Sequence, residues 1–462
     1  MPRIRELARK QSPATIVVVA AVFCNMVLGG SGLAAPLLEA ALQGLLAGLA
    51  VGWLWSASDD RLRDIPPGVW IIAGLVALLP LAQLVPLPPA FWHGLPGRGI
   101  EVRALALIGQ DQSWRPLSMA PNLTVSALMS MIAALILLIM VASLRLAGRT
   151  LVLGAVVAVG LLSLLVGAGQ VGGGDGVIVR FFDPGYSYLA GFQNNRNSEA
   201  DILLIAMICS AALIRDLVLA GLLPDRRRLV LSTALGASVL FSLGVVLTGS
   251  RTGMVLIIVA VLAQAVLVKP WLRLGARNLA IAAVVALVSG AMVLYALQDN
   301  AMTARALGRF HTATEIRPEI WQDTRFAIAN YFPWGSGMGT FVPTFMAGER
   351  LEIVSATYSN RAHNDYLELL LEAGLAGSLI FSVITVLVLS SAFKGFSRSG
   401  PRIRGQVFCA ISVLSIIAVH SIVDYPLRSM SLGGIAAVFA AFLLNPQGAG
   451  PKNRAERSKL VE

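Results

Sequence analysis

Charged residues are scarce in this sequence: only 13% of its 462 residues are Asp, Glu, Lys or Arg, whereas 56% are hydrophobic. A soluble domain of this composition could not cover its surface with polar groups. The composition therefore excludes an ordinary water-soluble domain and predicts a protein that is solvated largely by the lipid bilayer. The net charge of +11 is divided into short clusters between apolar runs. This distribution is typical of membrane topology, so we expect no nucleic-acid partner.

Cysteine is equally scarce, with three residues in the whole chain. Cys24, Cys209 and Cys409 each lie inside an apolar run, where cysteine usually serves as a small, reduced packing residue. We therefore expect no disulfide and no metal site. The first apolar run begins after the basic segment MPRIRELARKQ, and we interpret it as a retained signal-anchor.

Long hydrophobic runs occupy most of the remaining chain. A helix needs about 20 apolar residues to cross the bilayer, and by this measure the sequence predicts about twelve transmembrane helices. We expect an all-α polytopic membrane protein with a single membrane domain spanning residues 1–462. The predicted spans are 13–31, 36–56, 68–87, 122–143, 150–170, 198–214, 229–248, 252–268, 279–297, 367–391, 405–423 and 429–445.

Lysine is absent from one side of this predicted topology. With both termini placed in the cytoplasm, the tails and the short cytoplasmic connections contain 23 of the 36 Lys and Arg residues. The remaining 13 are all Arg, and they lie on the opposite, periplasmic side. An excess of Lys and Arg in short loops is the sequence feature that sets orientation. Three long periplasmic loops are predicted, at 88–121, 171–197 and 298–366, of which the last is partly helical and the largest.

Several polar segments converge on the predicted periplasmic side. In LTGSRTGM, Arg251 either faces the helical bundle and holds an anion or reaches the lipid headgroups from a simple turn. The segment GFQNNRNSEAD places Arg196 near the start of another helix, and HSIVDYPLR adds His420, Asp424 and Arg428. For these last two segments, helix capping and orientation are the interpretation that we favour.

The segment RPEIWQDTRFAIANYFPWGSGMGTF is predicted to form a helix followed by a glycine-rich turn. Arg317, Trp321 and Arg325 recur every four residues and therefore share one helical face. Two guanidinium groups placed in this way could clamp a phosphate, because each planar fork meets two oxygen atoms at once. The alternative is an amphipathic surface helix in which Glu319 and Asp323 neutralise the arginines. The glycine-rich turn follows no predicted strand, so it is not a dinucleotide-binding loop.

The segment RAHNDYLELLLEAG places polar residues where an apolar helix begins. Asn364 or Asp365 is a plausible N-cap, and a helix N-terminus favours negative charge. His363 could move a proton near neutral pH, or it could be an ordinary loop residue beside a capping motif. Glu368 and Glu372 are costly in lipid. We expect either that the helix starts outside the membrane or that these carboxylates face arginine partners.

Taken together, these motifs resemble the O-antigen ligase and O-antigen polymerase superfamily of bacterial inner-membrane proteins. The resemblance is carried by SRTG at 250–253, by RPEIW at 317–321 with the following PWGSGMGTF, and by HNDYLELLLEAGLAG at 363–377. The segments GFQNNRNSEA and PLPPAFWHGLPG are similar too. The order of the spans and the large late loop extend the resemblance over most of the chain.

The resemblance implies a GT-C-like membrane glycosyltransferase that takes a glycan from an undecaprenyl-diphosphate carrier on the periplasmic face. By position, Arg251 and Arg317 would hold the donor diphosphate, and His363 would orient or deprotonate the acceptor hydroxyl. Arginine would replace a metal ion at the leaving diphosphate, so neither a metal nor another cofactor is expected. Arg325 is the second choice for the loop arginine, because RPEIW at 317–321 fits the family spacing better. Further substrate-binding residues would be Arg325, Arg196, Trp321, Asn364, Asp365 and Tyr366.

Three functions remain open at this point. A polymerase of surface polysaccharide, O-antigen or exopolysaccharide would pass the glycan to another carrier-linked repeat, and this is the reading that we favour. A ligase would pass it to lipid A–core. A flippase or other transporter of lipid-linked oligosaccharide would more naturally show internal repeats and mid-membrane charges, which the sequence does not. Other polysaccharide-assembly proteins are candidate partners.

Overall fold

The computed structural model describes residues 11–30, 35–57, 62–172, 188–272, 316–354 and 358–448. It is 75% helical, which confirms the predicted all-α class. Within the described ranges, nine helices are long and apolar enough to cross a membrane, and two shorter apolar helices accompany them. The chain is therefore a multi-pass membrane protein.

Fifteen helices lie within the described parts of the chain. In chain order they are α1 Pro13–Leu28, α2 Pro36–Ser56, α3 Pro67–Leu84, α4 Pro89–Trp92, α5 Gly99–Ala106, α6 Pro121–Ala142, α7 Leu146–Gly172, α8 Arg196–Leu219, α9 Arg227–Leu247, α10 Arg251–Leu272, α11 Arg317–Tyr331, α12 Phe341–Met346, α13 Asp365–Arg398, α14 Pro401–His420 and α15 Met430–Leu444. A 3₁₀ turn, Pro426–Arg428, precedes α15. The two-residue strands β1 Pro86–Leu87 and β2 Arg115–Pro116 pair antiparallel.

Eleven of the twelve predicted spans coincide with helices, with ends that differ by a few residues. The predicted span 279–297 lies outside the described residues. The closely spaced α9 and α10 are separate helices, because the chain turns at Gly249, where φ is +66°. Glycine adopts this left-handed conformation without steric cost.

Helix α8 forms the centre of the bundle. In the most apolar stretch of α8, 78% of the residues are buried, compared with 17% in the corresponding stretch of α2. Helix α8 packs against α7, α9, α10 and α14, which fits a helix that is hydrophobic around its whole circumference. Its first two turns nevertheless carry Glu199 and Asp201, both fully buried. The start of α8 therefore brings acidic groups into the centre of one end of the bundle.

Helix α13 is interrupted at Gly374, whose backbone (φ 56°, ψ −148°) is not helical. The glycine-rich turn after α11 fills the interruption. The backbone N–H groups of Ser336 and Gly337 donate to the carbonyl oxygens of Leu371 and Glu372, and the N–H of Leu375 donates to Pro333. The polar first segment of α13 is thereby separated from its long apolar part, and this break was not predicted.

Polar contacts join residues of the same predicted side. At one end of the bundle, Arg402 pairs with Asp216 at 2.8 Å. At the other end, Arg428 pairs with Glu372 at 2.6 Å. The second end also carries α11, α12 and the connection between α3 and α6. We call it the arginine end, because the described arginines of the lysine-free set lie in its loops and turns, in α5, β2 and α11, and at the first residues of α8 and α10. Gln83 links these parts by donating to the carbonyl oxygen of Glu372 and accepting from the N–H of Met338.

Candidate functional site

His363 lies immediately before α13 at the arginine end. Its φ is +48°, the only positive value among the described non-glycine residues. A residue other than glycine rarely adopts this conformation, and where it does so the surroundings must hold it there. The side chain is 27% exposed, and its Nδ1 lies 3.0 Å from Oδ1 of Asp424. The imidazole is therefore anchored through one nitrogen and remains partly accessible to solvent.

Asp424 is buried in the turn between α14 and α15. Its Oδ2 accepts hydrogen bonds from the side-chain amides of Asn197, at 2.6 Å, and Asn195, at 3.4 Å. Burial opposes the charged form of this carboxyl, but the hydrogen bond to His363 and the charge of His420 hold its pKa below the usual value. Asp424 therefore remains a carboxylate that accepts bonds from three neighbouring side chains.

The Tyr425 ring packs against the imidazole ring of His363. The two rings meet edge to face with 4.9 Å between centroids, an arrangement that aromatic pairs favour. Burial, together with the charge of Asp424, raises the pKa of Tyr425 to about 12. The phenol is therefore neutral near pH 7, and its ring packs against the imidazole of His363.

Arg428 forms ion pairs with three carboxylates in the first turns of α13. Its Nη1 lies 2.6 Å from Glu372, and its Nε lies 3.4 Å from Glu368 and 3.5 Å from Asp365. Burial lowers the pKa of Arg428, but these carboxylates together raise it above its usual value. Of the two expectations for the glutamates, the structure shows the second: Glu368 and Glu372 are fully buried against arginine partners.

The loop before His363 is tied to the same cluster. Arg361 donates to Oε1 of Glu368 at 2.9 Å, and the backbone N–H of Ala362 donates to Oε2 at 3.0 Å. Glu368 thus holds the two residues that precede His363. A single buried carboxylate links the histidine loop to Arg428, which explains how the loop can keep an unfavourable backbone conformation.

Of the two plausible caps, Asn364 is the N-cap of α13. Its side-chain oxygen accepts from the N–H groups of Tyr366 and Leu367, each at 3.0 Å. Asp365 instead lies in the first turn, where its Oδ2 accepts from the hydroxyl of Ser421 at 2.9 Å. The Tyr366 hydroxyl donates to the carbonyl oxygen of Ala418. All three residues therefore join α13 to the end of α14.

The face of α11 that carries Arg317, Trp321 and Arg325 is only partly directed towards the His363 region. The Trp321 indole donates to the carbonyl oxygen of Ala362 at 3.0 Å, next to His363. Arg317 lies close enough to His420 for their charges to interact. Arg325 is exposed. Asp323 does not neutralise either arginine of this face, because it is buried and pairs with Arg350 at 2.6 Å.

Arg251 and Arg196 occupy the first positions of α10 and α8. The Arg196 guanidinium stacks on the Tyr188 ring at 4.8 Å. A side chain at Gly249 would come within 3.0 Å of the same ring, so the turn before α10 packs directly against Tyr188. Arg196 and the Arg251 turn therefore share one aromatic partner, and Asn197 continues the contact to Asp424.

A second histidine–aspartate pair lies deeper in the same end. Nδ1 of His420 lies 2.7 Å from Oδ1 of Asp201, and both side chains are 1% exposed. Nε2 of His420 and Oδ2 of Asp201 have no hydrogen-bond partner among the described residues. Ionisable groups between membrane helices are expensive and usually functional. Sequence reasoning assigned His420 to capping and did not find Asp201.

The fold brings most of the candidate residues to one end of the bundle. His363, Asn364, Asp365, Tyr366, Trp321, Arg317, Arg196 and Arg251 all lie at helix starts or loops of the arginine end. Arg325 stands apart on the exposed side of α11. The hydrogen-bond partner of His363, Asp424, was noted only as part of a capping segment, because a separation of 61 residues gives no local signal.

Comparison with known families adds an independent observation. Residues 236–382 match the model of the O-antigen ligase family. The chain is similar to this family over residues 236–382, which is less than half of its length. The match includes SRTG, RPEIW and the His363 segment, and it confirms the resemblance to the ligase and polymerase superfamily. The family supports a glycosyl-transferring function of the ligase or polymerase type, with lipid-linked glycan and an acceptor as substrates. No protein of curated function matches the sequence.

Proposed function

We propose that this protein is a polymerase that transfers an undecaprenyl-diphosphate-linked glycan to a second carrier-linked repeat. The reaction takes place at the arginine end of the bundle, on the periplasmic face of the inner membrane, with both termini in the cytoplasm. The observation that carries the proposal is the contact between His363 and Asp424, at 3.0 Å, on the same end as Arg251 and Arg317.

The histidine acts as a general base. With Nδ1–H donating to the Asp424 carboxylate, Nε2 is left as an acceptor, and the carboxylate stabilises the imidazolium that forms. Nε2 takes the proton of the acceptor hydroxyl while its oxygen bonds to the anomeric carbon of the donor. The bond from that carbon to the diphosphate breaks, and the electron pair leaves with the diphosphate. General base catalysis of this kind contributes roughly 10²–10⁴-fold.

Arg251 and Arg317 hold the leaving diphosphate. A diphosphate gains negative charge in the transition state, and preorganised arginines stabilise that charge. Their planar forks can each meet two oxygen atoms, so the reaction requires no metal ion. The position of Arg317 supports this role, because its charge already acts on His420 beside Asp424. Arg251 is supported by its place at the first residue of α10, where helix polarity also favours an anion.

Substitution of His363 tests the catalytic assignment. In purified protein with a defined carrier-linked donor, His363→Ala is expected to lower turnover by roughly 10²–10⁴ while donor binding persists. Asp424→Asn should also lower turnover, because an amide cannot stabilise the imidazolium in the same way. The matched control is His93→Ala, which removes a histidine that contacts the Asp111 carbonyl in a loop of the same end. Turnover that falls only as far as the folded fraction would refute the role.

A deletion strain separates the polymerase from the ligase. The polymerase predicts that chain-length ladders disappear from a glycan gel. A ligase that acts on lipid A–core would leave carrier-linked polymer intact but unattached. A transporter would trap the carrier-linked repeat on the cytoplasmic face. The cluster of ionisable residues at one end, and not at mid-membrane, favours the enzyme over the transporter.

A further inference from the structure

A groove opens at the end of the bundle opposite His363, between the final turns of α10 and α13 and the start of α14. Its volume is about 420 Å³. We call it the basic groove, and its lining residues are Arg215, Val266, Leu267, Lys269, Pro270, Phe396, Arg404, Gly405 and Phe408. Three of these residues are cationic, and no acidic residue is among them.

Two of the three cations are available to a ligand. Lys269 and Arg404 are exposed, and neither forms an ion pair within the described part of the chain. The Arg404 guanidinium lies 6.0 Å from the centre of the Phe396 ring, so charge and apolar surface adjoin at the rim. The nearby carboxylate of Asp216 is occupied by Arg402 and by the hydroxyl of Thr150.

Arg215 forms a rigid wall of the basic groove. Its Nη1 donates to the carbonyl oxygen of Leu267 at 2.9 Å, and its Nη2 donates to that of Pro401 at 3.2 Å. Its Nε is buried and has no hydrogen-bond partner among the described residues. A side chain at Gly405 would stand 2.7 Å from that Nε, so only glycine leaves room for the guanidinium. The third positive charge is therefore held in place before any ligand arrives.

We propose that the basic groove binds the phosphate headgroup of an anionic phospholipid. Lys269 and Arg404 contact the phosphate oxygens from the rim, with Arg215 behind them. The apolar walls formed by Val266, Phe396 and Phe408 accept the first part of an acyl chain. Basic pockets between membrane helices recognise anionic headgroups in this way, and the cytoplasmic leaflet, where this end is predicted to lie, is rich in them.

The apolar walls favour a lipid over a soluble anion. A free phosphate would gain nothing from Val266, Phe396 and Phe408, because it has no apolar part that could pack against them. The C-terminal segment PKNRAERSKL of this chain is a poor occupant, because its basic residues outnumber its acidic one. An anionic lipid satisfies both halves of the groove, since its phosphate meets the cations and its glycerol and acyl chain cover the apolar wall.

The test compares lipid binding by the full-length protein purified in detergent. Phosphatidylglycerol is titrated and detected by native mass spectrometry, with phosphatidylcholine as the neutral lipid and inorganic phosphate as the soluble anion. The variant Lys269→Gln/Arg404→Gln is expected to bind phosphatidylglycerol about 30-fold more weakly, because each cation contributes about 1 kcal/mol. Phosphatidylcholine should bind wild type and variant equally, and phosphate should not compete.

The matched control is Lys394→Gln/Arg398→Gln. It removes the same two charges from exposed positions of α13 at the same end, but neither residue lines the groove. The control should bind phosphatidylglycerol as the wild type does. Equal weakening in both variants would reduce the effect to net charge and overturn the site. Competition by millimolar phosphate at the same residues would overturn the lipid assignment. Size-exclusion profiles establish that both variants are folded.

Discussion

At the scale of single residues, Arg428 is the centre of a buried charge network at the arginine end. It is the partner of three buried carboxylates, those of Asp365, Glu368 and Glu372. Removing one member of a buried charge network leaves the others unpaired, at a typical cost of about 3–5 kcal/mol. The network also holds the His363 loop, so the charge of Arg428 serves both stability and the proposed site.

Arg428→Gln is therefore expected to lower the unfolding temperature markedly. The measurement is thermal unfolding in detergent, with the lost soluble fraction or intrinsic fluorescence as readout. Arg103→Gln is the control, because Arg103 is exposed on α5 at the same end and surface charges contribute little. If both variants unfolded at the same temperature as the wild type, the network would contribute no net stability.

The arginine fork provides a second prediction at this scale. Arg251→Lys and Arg317→Lys preserve the charge but lose bidentate geometry. Each is expected to raise the barrier by on the order of 3 kcal/mol, which is about 100-fold in turnover. Arg325→Lys tests the second candidate for the loop arginine, which lies exposed on α11. A larger loss at Arg325 than at Arg317 would reverse their assignments.

Residue identities were predictable here, whereas their partners were not. From the segment HNDYLELLLEAG we predicted a titratable histidine, a helix cap and two carboxylates on one helical face. Its partners Asp424 and Arg428 lie in another segment, more than fifty residues later. No local pattern encodes such a distance, because the contact exists only when α14 returns beside the start of α13.

At the scale of elements, the break in α13 decides where the polar residues lie. Residues before Gly374 carry the carboxylates, and residues after it form the apolar span. The hydrophobic pattern of LELLLEAGLAGSLIF predicts one continuous apolar helix, so no interruption was expected from the sequence. The break depends on the glycine-rich turn, whose backbone groups pair with the carbonyl oxygens of Leu371 and Glu372. Hydrophobic periodicity does not report backbone pairing of this kind.

Gly374→Ala tests the break. The backbone conformation at Gly374 is essentially restricted to glycine, and an added Cβ would stand 2.2 Å from the carbonyl oxygen of Pro333. The variant is expected to lose more than about 1–3 kcal/mol of stability, and activity should fall with it. The control is Gly236→Ala in α9, where nothing lies within 4 Å of an added Cβ and alanine favours the helix. Equal stability of the two variants would show that the turn does not require glycine.

At the scale of the whole molecule, the hydrophobic pattern predicted the architecture well. Spans follow from length and hydropathy, and eleven of them coincide with helices. Which helix lies at the centre did not follow, because the mean hydropathy of α8, 2.3, lies between the 1.7 of α14 and the 2.6 of α7. Its burial results from packing on four other helices. The arginine end likewise emerges only when separate loops meet, although the uneven distribution of Lys indicated its existence.

Orientation in the membrane remains the prediction that joins all three scales. The catalytic proposal requires the arginine end to face the periplasm, and the basic groove requires the other end to face the cytoplasm.

Single cysteines are introduced into a variant in which Cys24, Cys209 and Cys409 are replaced by alanine. Leu351→Cys reports the arginine end, where the side chain is 87% exposed, and Lys394→Cys reports the opposite end, where it is also exposed. With a membrane-impermeant maleimide, Leu351→Cys should be labelled in intact spheroplasts, whereas Lys394→Cys should be labelled only after lysis, because the excess of Lys and Arg in short loops retains that end in the cytoplasm. The reverse pattern would invert the topology and place His363 away from the periplasmic substrate, which would exclude the proposed reaction at this site.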